Sequence, residues 1–283
     1  MTLEPQEFDT ALIFSEEIIK EAGGVLLSLL GKVNVASKGL FDIVSSADTT
    51  VEQFIIERIR REFPKHQIIA EESISSGTHT IDELCWVIDP LDGTVNFSTS
   101  IPFFSVSLAL LYKGDPILGF VYDPIHKELF QAQKGRGSSL NGRKLVVETD
   151  NSLGLPIGGS SGFLNWGMAV GSTSLLQSLI DRFGKIRIFG SQALHLCYVA
   201  AGRLQSAISW EARLWDDAAG SLIATEAAVN YTDFWGQDIF PVRTGSPVLA
   251  GEPVHSVAAP PAIHGEIIPL LTGVCADEGD IEK

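Results

Sequence analysis

A chain of 283 residues with 45% hydrophobic and 19% charged side chains can bury a sizeable core in one large domain or two lobes, which excludes disorder as its dominant state. Asp plus Glu number 35 against 20 Lys plus Arg, a formal charge of −15, so no basic surplus exists to neutralise phosphates and general nucleic-acid binding is not expected. Cys85, Cys197 and Cys275 lie far apart, with no CxxC pair and no even framework, so they read as small buried thiols in a reducing compartment and not as a disulfide scaffold or zinc ribbon.

The N-terminus carries Glu4, Glu7 and Asp9 where a secretory signal has basic residues. The apolar run 25–30 is far short of the roughly 20 residues that a bilayer span needs. A soluble, cytoplasmic protein with no membrane partner is therefore expected. Leu12, Ile13, Ile18, Ile19, Ala22, Leu26, Leu29 and Leu30 recur at helical spacing, and Gly31 suits a stop. Val51, Phe54, Ile55, Ile59 and Phe63 form the apolar stripe of a second helix, with Asp48, Thr49 or Thr50 as its cap and Pro64 as its end. Short strands follow over 66–71 and 85–89, the latter halted by Pro90, and then over 103–112, 117–122 and 128–133. Consecutive strands predict an antiparallel sheet in the first half. The second half alternates, with strand-like pieces near Gly171 and 186–188 and helices over 191–202 and 217–228, as in α/β layering. The Gly/Ser-rich stretch 150–162 divides an α+β lobe (1–150) from an α/β lobe (151–283).

Three places put acids at a strand end or helix start: Glu71-Glu72, Asp89-Pro90-Leu91-Asp92-Gly93-Thr94 and Trp215-Asp216-Asp217-Ala218-Ala219-Gly220. Hard cations such as Mg²⁺ take such oxygen ligands, and a helix N-terminus beside them offers N–H groups to phosphate. Pro90 fixes a turn that lets Asp89 and Asp92 converge, and Gly93 permits close backbone approach. If Glu71, Asp89, Asp92 and Asp216 converge within about 5 Å, each of six pairs costs on the order of 3 kcal/mol at an effective dielectric of 20. A total near 20 kcal/mol exceeds the ~5–15 kcal/mol stability of a domain, so protons or multivalent cations are required. The six histidines form no HExxH or His/Cys cluster, and no P-loop occurs. Asp217 reads as a first-turn acid on a helix dipole, Glu72 as an accessory or surface acid, and Lys38 as a phosphate-steering or surface lysine.

The stretch Trp86-Val87-Ile88-Asp89-Pro90-Leu91-Asp92-Gly93-Thr94-Val95-Asn96-Phe97 resembles the first signature of the inositol monophosphatase family, within the lithium-sensitive, Mg²⁺-dependent phosphatase superfamily. The Trp215–Gly220 segment is similar to the second signature, and Ala70-Glu71-Glu72-Ser73 to the acidic pair. Two further blocks match in order: one from Lys38 through Ala47-Asp48 to Val51-Glu52, and one from Gly190-Ser191 to Gly202. The resemblance implies an α/β fold, a layered αβαβα sandwich of the sugar-phosphatase type, two or three Mg²⁺ ions, and a homodimer. It implies that Glu71 binds metal and orients water, that Asp89 bridges two metals, and that Leu91 gives its carbonyl to the first. Asp92 and Asp216 would bind the second. Thr94 and Asp48 would activate the attacking water, while Gly93 and Thr94 hold the phosphate.

The alcohol side departs from this pattern. Many family members that accept inositol phosphates carry a glutamate about seven residues before the motif aspartate; here that position is Ser209, and Glu211 is out of register by two. Gln192 stands where the family often has Ala. Asp92, Gly93, Thr94, Gln192, Ser209 and Asp216 are the expected substrate contacts. The expectation is a phosphomonoesterase for a small sugar or polyol phosphate. Histidinol phosphate, fructose bisphosphate and nucleotide 3′-phosphates are alternative substrates, and a non-catalytic regulatory protein is the alternative of another class.

Overall fold

In the computed structural model the described residues are 5–32, 35–37, 43–74, 80–81, 83–147, 156–160 and 173–276. Helix α1 (Pro5–Leu29) buries Ala11, Ser15, Ile18, Ile19, Ala22 and Leu26 along one stripe. Ile13, expected on that stripe, is 60% exposed, because it lies on the far side of the helix from Ala11 and Ser15. After the short strands β1 (Val35–Ser37) and β2 (Ile43–Ser45), helix α2 (Ser46–Glu62) buries Val51, Ile55, Ile56 and Ile59. Its cap is Ser45, not Asp48, Thr49 or Thr50: the helix begins earlier than the apolar stripe indicates. Asp48 is instead the third helical residue, closing a capping box on Ser45 N–H.

A seven-stranded sheet follows in the order β3 (Gln67–Ala70), β4 (Leu84–Asp92), β5 (Ser105–Tyr112), β6 (Asp115–Asp123), β7 (Glu128–Gln133), β8 (Gly137–Leu140) and β9 (Arg143–Lys144). It is antiparallel except that β3 runs parallel to β4. Pro90 does not halt β4. The strand runs through it to Asp92, and two residues, Pro90 and Leu91, oppose the single Val106 of β5. Proline donates no ladder bond, and a bulge is where a strand tolerates that.

Strand alternation sorts β4 onto two faces. Trp86 and Ile88 join Leu108, Leu110 and Phe120 under α1 and α2. Cys85 and Val87 join Ala109, Leu111, Val121 and Phe130 under α5 (Gln192–Ala200) and α6 (Leu214–Thr225). Each fully buried large side chain contributes roughly 1.5–3 kcal/mol. Helix α6 lies directly on β6: a Cβ on Gly119 would sit 2.7 Å from the Ala219 carbonyl oxygen. The opposite sides of α5 and α6 meet a five-stranded sheet through Leu196, Val199 and Ala224, packed on Ala207, Tyr231 and Ala258. Its order is β11 (Ile186–Arg187), β10 (Ile157–Gly159), β12 (Ser206–Ala212), β14 (Val254–Ala259), β13 (Asn230–Asp233). Helices α4 (Thr173–Phe183) and α7 (Pro261–Ala276) cover its outer face. The layers thus run α, β, α, β, α, as expected.

The helix expected over 217–228 starts three residues earlier, at Leu214. The strand-like piece near Gly171, Lys38 and most of the 150–162 stretch lie outside the described residues. Cys85 and Cys197 are free, buried thiols, and burial pushes Cys85 up to about 12. No described helix is long and apolar enough to cross a membrane.

Candidate active site

The acids of β4 lie on either side of its bulge. Asp89 is buried, and its Oδ1 accepts Leu91 N–H at 2.9 Å. Gly93, at φ 100°, then turns the chain into the short helix α3 (Thr94–Ser98). Thr94 lies where α3 faces the start of α2, and its Oγ1 is 2.8 Å from Asp48 Oδ1 and 3.1 Å from the Leu91 carbonyl. Asp48 Oδ2 accepts from Ser45 N and Ser45 Oγ, at 2.8 and 2.6 Å. Asp48 thus both completes the α2 capping box and receives Thr94.

Asp92 crosses to the middle helical layer. Its Oδ2 accepts from Ser191 Oγ at 2.5 Å and Ala193 N at 2.7 Å, and its Oδ1 from Gln192 N at 3.1 Å. The carboxylate therefore caps the N-terminus of α5, where the helix dipole favours an anion. Burial nevertheless pushes its pKa up to about 6, against the lowering effect of those three donors. Burial also holds Asp89 and Asp216 well above the carboxylate range. The charges of Glu71, Asp92 and Asp216 add to this at Asp89, and those of Asp92 and Glu71 at Asp216. Asp216, in the first turn of α6, accepts Arg213 N–H at 2.7 Å. Glu71 directly follows β3, with its N–H on Ile88 O at 3.2 Å. Glu72 N–H donates to Glu52 Oε2 at 2.7 Å. The 3% exposed Glu52 thereby fixes the acidic pair from α2, a contact that its place in the matched block does not specify.

The four acids lie within electrostatic reach of one another, but they do not share one tight point. Among the described residues no three His, Cys, Asp or Glu groups gather closely enough to hold a single ion. Each of three acids turns a carboxylate oxygen to a backbone N–H: Asp89 to Leu91 in the β4 bulge, Asp92 to Ala193 at the start of α5, and Asp216 to Arg213 at the start of α6. Hard oxygen donors that raise each other's pKa are of the kind that divalent cations take.

A cavity of about 430 Å³ opens beside these acids, its wall including Asp92, Gly93, Thr94, Gln192, Ser209, Glu211 and Asp216. Asp48, Glu71, Asp89 and Leu91 are not on that wall. On the far side, Ser209 is buried and its Oγ accepts Ala212 N–H at 3.1 Å. Between them the β12–β14 register shifts: Trp210 and Glu211 oppose the single His255. This bulge brings exposed Glu211 to the cavity, although it is two positions out of register in the sequence. Gln192 Nε2 donates to Asp217 Oδ1 at 2.9 Å. Asp217 is in the first turn of α6 as expected, but it is fully buried and is held by Gln192, Tyr231 Oη at 2.8 Å and Ser256 Oγ at 2.7 Å. It ties α6 to the second sheet, a role that its place in the turn does not reveal. His195, also on the cavity wall, is kept neutral by burial, which lowers its pKa to about 4.

The chain matches the model of the inositol monophosphatase family over residues 7–273. A protein of Pasteurella multocida named Nus factor SuhB is 39% identical over 242 residues, 85% of this chain and 86% of its own length. A fructose-1,6-bisphosphatase/inositol-1-monophosphatase of Thermotoga maritima is 35% identical over 229 residues, 80% of this chain and 86% of its own. Among solved structures, a Thermotoga maritima IMPase superposes with a TM-score of 0.80 at 32% identity, covering 95% of this chain and all of that one. An IMPase/NADP phosphatase complexed with Mg²⁺ and phosphate superposes at 0.77 with 26% identity, covering 94% and 95%. With the family model spanning nearly its whole length, this chain belongs to the inositol monophosphatase family.

Proposed function

We propose that the protein is a Mg²⁺-dependent phosphomonoesterase that hydrolyses a small sugar or polyol phosphate by direct water attack. The observation that carries this reading is the Thr94–Asp48 pair, 2.8 Å apart, beside acids whose charges raise one another's pKa at the edge of a cavity. With its single proton directed to Asp48 and Leu91, Thr94 Oγ1 has lone pairs left to accept a hydrogen bond from a water. That water attacks phosphorus, the P–O ester bond breaks, and the departing alkoxide takes up a proton, giving alcohol and phosphate. Glu71, Asp89, Asp216, Asp92 and the Leu91 carbonyl would hold two or three Mg²⁺ ions. When bound, Mg²⁺ offsets phosphoryl charge and lowers the pKa of water. Gly93 and Thr94 would receive the phosphate, and Gln192, Ser209 and Glu211 would face the alcohol.

Inositol monophosphate, fructose bisphosphate, histidinol phosphate and nucleotide 3′-phosphates are the esters to compare. Phosphate release from at least one of them, dependent on Mg²⁺, is the expected result. A folded protein that releases phosphate from none would overturn the reading. It would leave a non-catalytic regulatory role, which the 39% identity to a protein named Nus factor favours.

A further inference from the structure

The loop ahead of α5 is held by two side chains that the reaction above does not use. Phe189 N–H donates to His195 Nε2 at 3.2 Å, and Phe189 C=O accepts from Asn96 Nδ2 at 2.6 Å. The same Nδ2 donates to Phe103 C=O at 2.7 Å. Asn96 is 8% exposed and sits on α3, two residues after Thr94. One amide thus joins α3, the segment leading into β5, and the loop 189–191.

These segments meet with no room for side chains. Gly93 and Gly190 adopt φ of 100° and 80°. A Cβ on Gly190 would lie 3.0 Å from Asn96 Nδ2, and one on Gly93 would lie 3.0 Å from Gly190 O. The next residues after Gly190 are those that hold Asp92: the Ser191 hydroxyl and the N–H groups of Gln192 and Ala193. A shift of the Phe189 peptide is therefore a shift of Asp92 relative to Thr94.

We propose that Asn96 is a positioning residue whose two amide protons fix the N-terminus of α5 against the Gly93–Thr94 corner and so set where the Asp92 carboxylate lies. The proposal rests on the phosphatase reading, because Asp92 and Thr94 take their roles from it. His195 holds the preceding peptide of the same loop, through the Phe189 N–H. Aspartate cannot replace Asn96, since its oxygens would face two carbonyls and donate nothing.

The test compares Asn96→Ala and Asn96→Ser with Thr99→Ala, which removes a 2.8 Å hydrogen bond to Val95 C=O at the end of the same helix. The readouts are Tm, the rise in Tm on adding Mg²⁺ with inorganic phosphate, and kcat and KM on an ester the wild type hydrolyses. In Asn96→Ala, kcat is expected to fall about 100-fold, the order of a ~1 Å misplacement. Asn96→Ser, keeping one donor, falls less, and it carries the test if the alanine variant does not fold. The ligand-induced rise in Tm is expected to vanish in Asn96→Ala and persist in Thr99→Ala. Asn96→Ala with kcat within about twofold of wild type and a full Tm rise overturns the proposal. So does an equal loss in Thr99→Ala, which would make the effect one of helix stability. If the wild type gains Tm with Mg²⁺ and phosphate yet hydrolyses no ester, the phosphatase reading fails, and the Tm readout still decides the role of Asn96.

Discussion

Strands β4 and β12 use the same device on opposite sides of the cavity. In each, two residues oppose one on the antiparallel neighbour: Pro90 and Leu91 against Val106, and Trp210 and Glu211 against His255. The first bulge separates Asp89 from Asp92, so that one acid stays in the buried strand while the other reaches the N-terminus of α5. The second carries Glu211 to the wall while Ser209 turns its hydroxyl back onto the Ala212 N–H. One bulge therefore arranges charge, and on the proposed function the other arranges the surface that would meet an alcohol. Mutations in the first should act on turnover, and in the second on the choice of substrate.

The largest effect is expected at β4. Asp89→Asn should lower kcat by about 1,000-fold or more, in line with the removal of a preorganised charged group. It keeps an acceptor for the Leu91 N–H, and it removes a carboxylate whose ionisation burial disfavours. Its Tm without Mg²⁺ should therefore equal or exceed that of wild type; a loss of both Tm and activity would mean that Asp89 acts through the fold. Ser191→Ala comes next, because it deletes one of three donors to buried Asp92. A fall in kcat/KM of about tenfold, corresponding to ~1.4 kcal/mol, is expected from steady-state kinetics. Glu211→Gln tests the second bulge. KM for polyol phosphates should rise by up to about tenfold with kcat held, and an aryl phosphate without hydroxyls should be unaffected. Equal effects on both esters would break the division of labour between the bulges.

The smallest effect concerns stability. A histidine in the unfolded chain takes its proton near 6.5, whereas His195 in the fold does so only near 4, because burial disfavours the cation. A depressed pKa of this kind gives stability that is complete above pH 6.5 and lost as pH falls towards 4. His195→Gln should accordingly show a flatter dependence of Tm on pH between about 7 and 4 than wild type. Parallel curves would show that His195 is not the group responsible.

The two bulges also explain what sequence can disclose. Asp89, Asp92 and Asp216 stand beside Pro90, Gly93 and a helix start, and residues of that kind mark their own geometry. The bulge in β12 contains Trp210 and Glu211, with neither proline nor glycine to announce it, so register counting leaves Glu211 two positions away. Asn96, Glu52 and Asp217 act through partners 93, 20 and up to 39 positions distant, respectively. Such pairings follow from the stacking of layers and have no local pattern. The cap of α2 is hidden for a simpler reason: the apolar stripe starts at Val51, while the helix starts at Ser46. The five-stranded sheet is hardest to foresee, since its strands are short and β10 and β11 contain only three and two residues.

The shared middle layer bears on how the chain is made. Every strand of the first sheet has been synthesised by residue 144, but the helices that cover one of its faces span 192–200 and 214–225. Until they emerge, a nascent chain exposes Cys85, Val87, Ala109, Leu111, Val121 and Phe130 together, an apolar face with no cover of its own. At ~5–20 residues per second this interval lasts several seconds, long enough for self-association to compete with folding. Protection of that face during synthesis is a demand that the order of layers along the chain places on the cell.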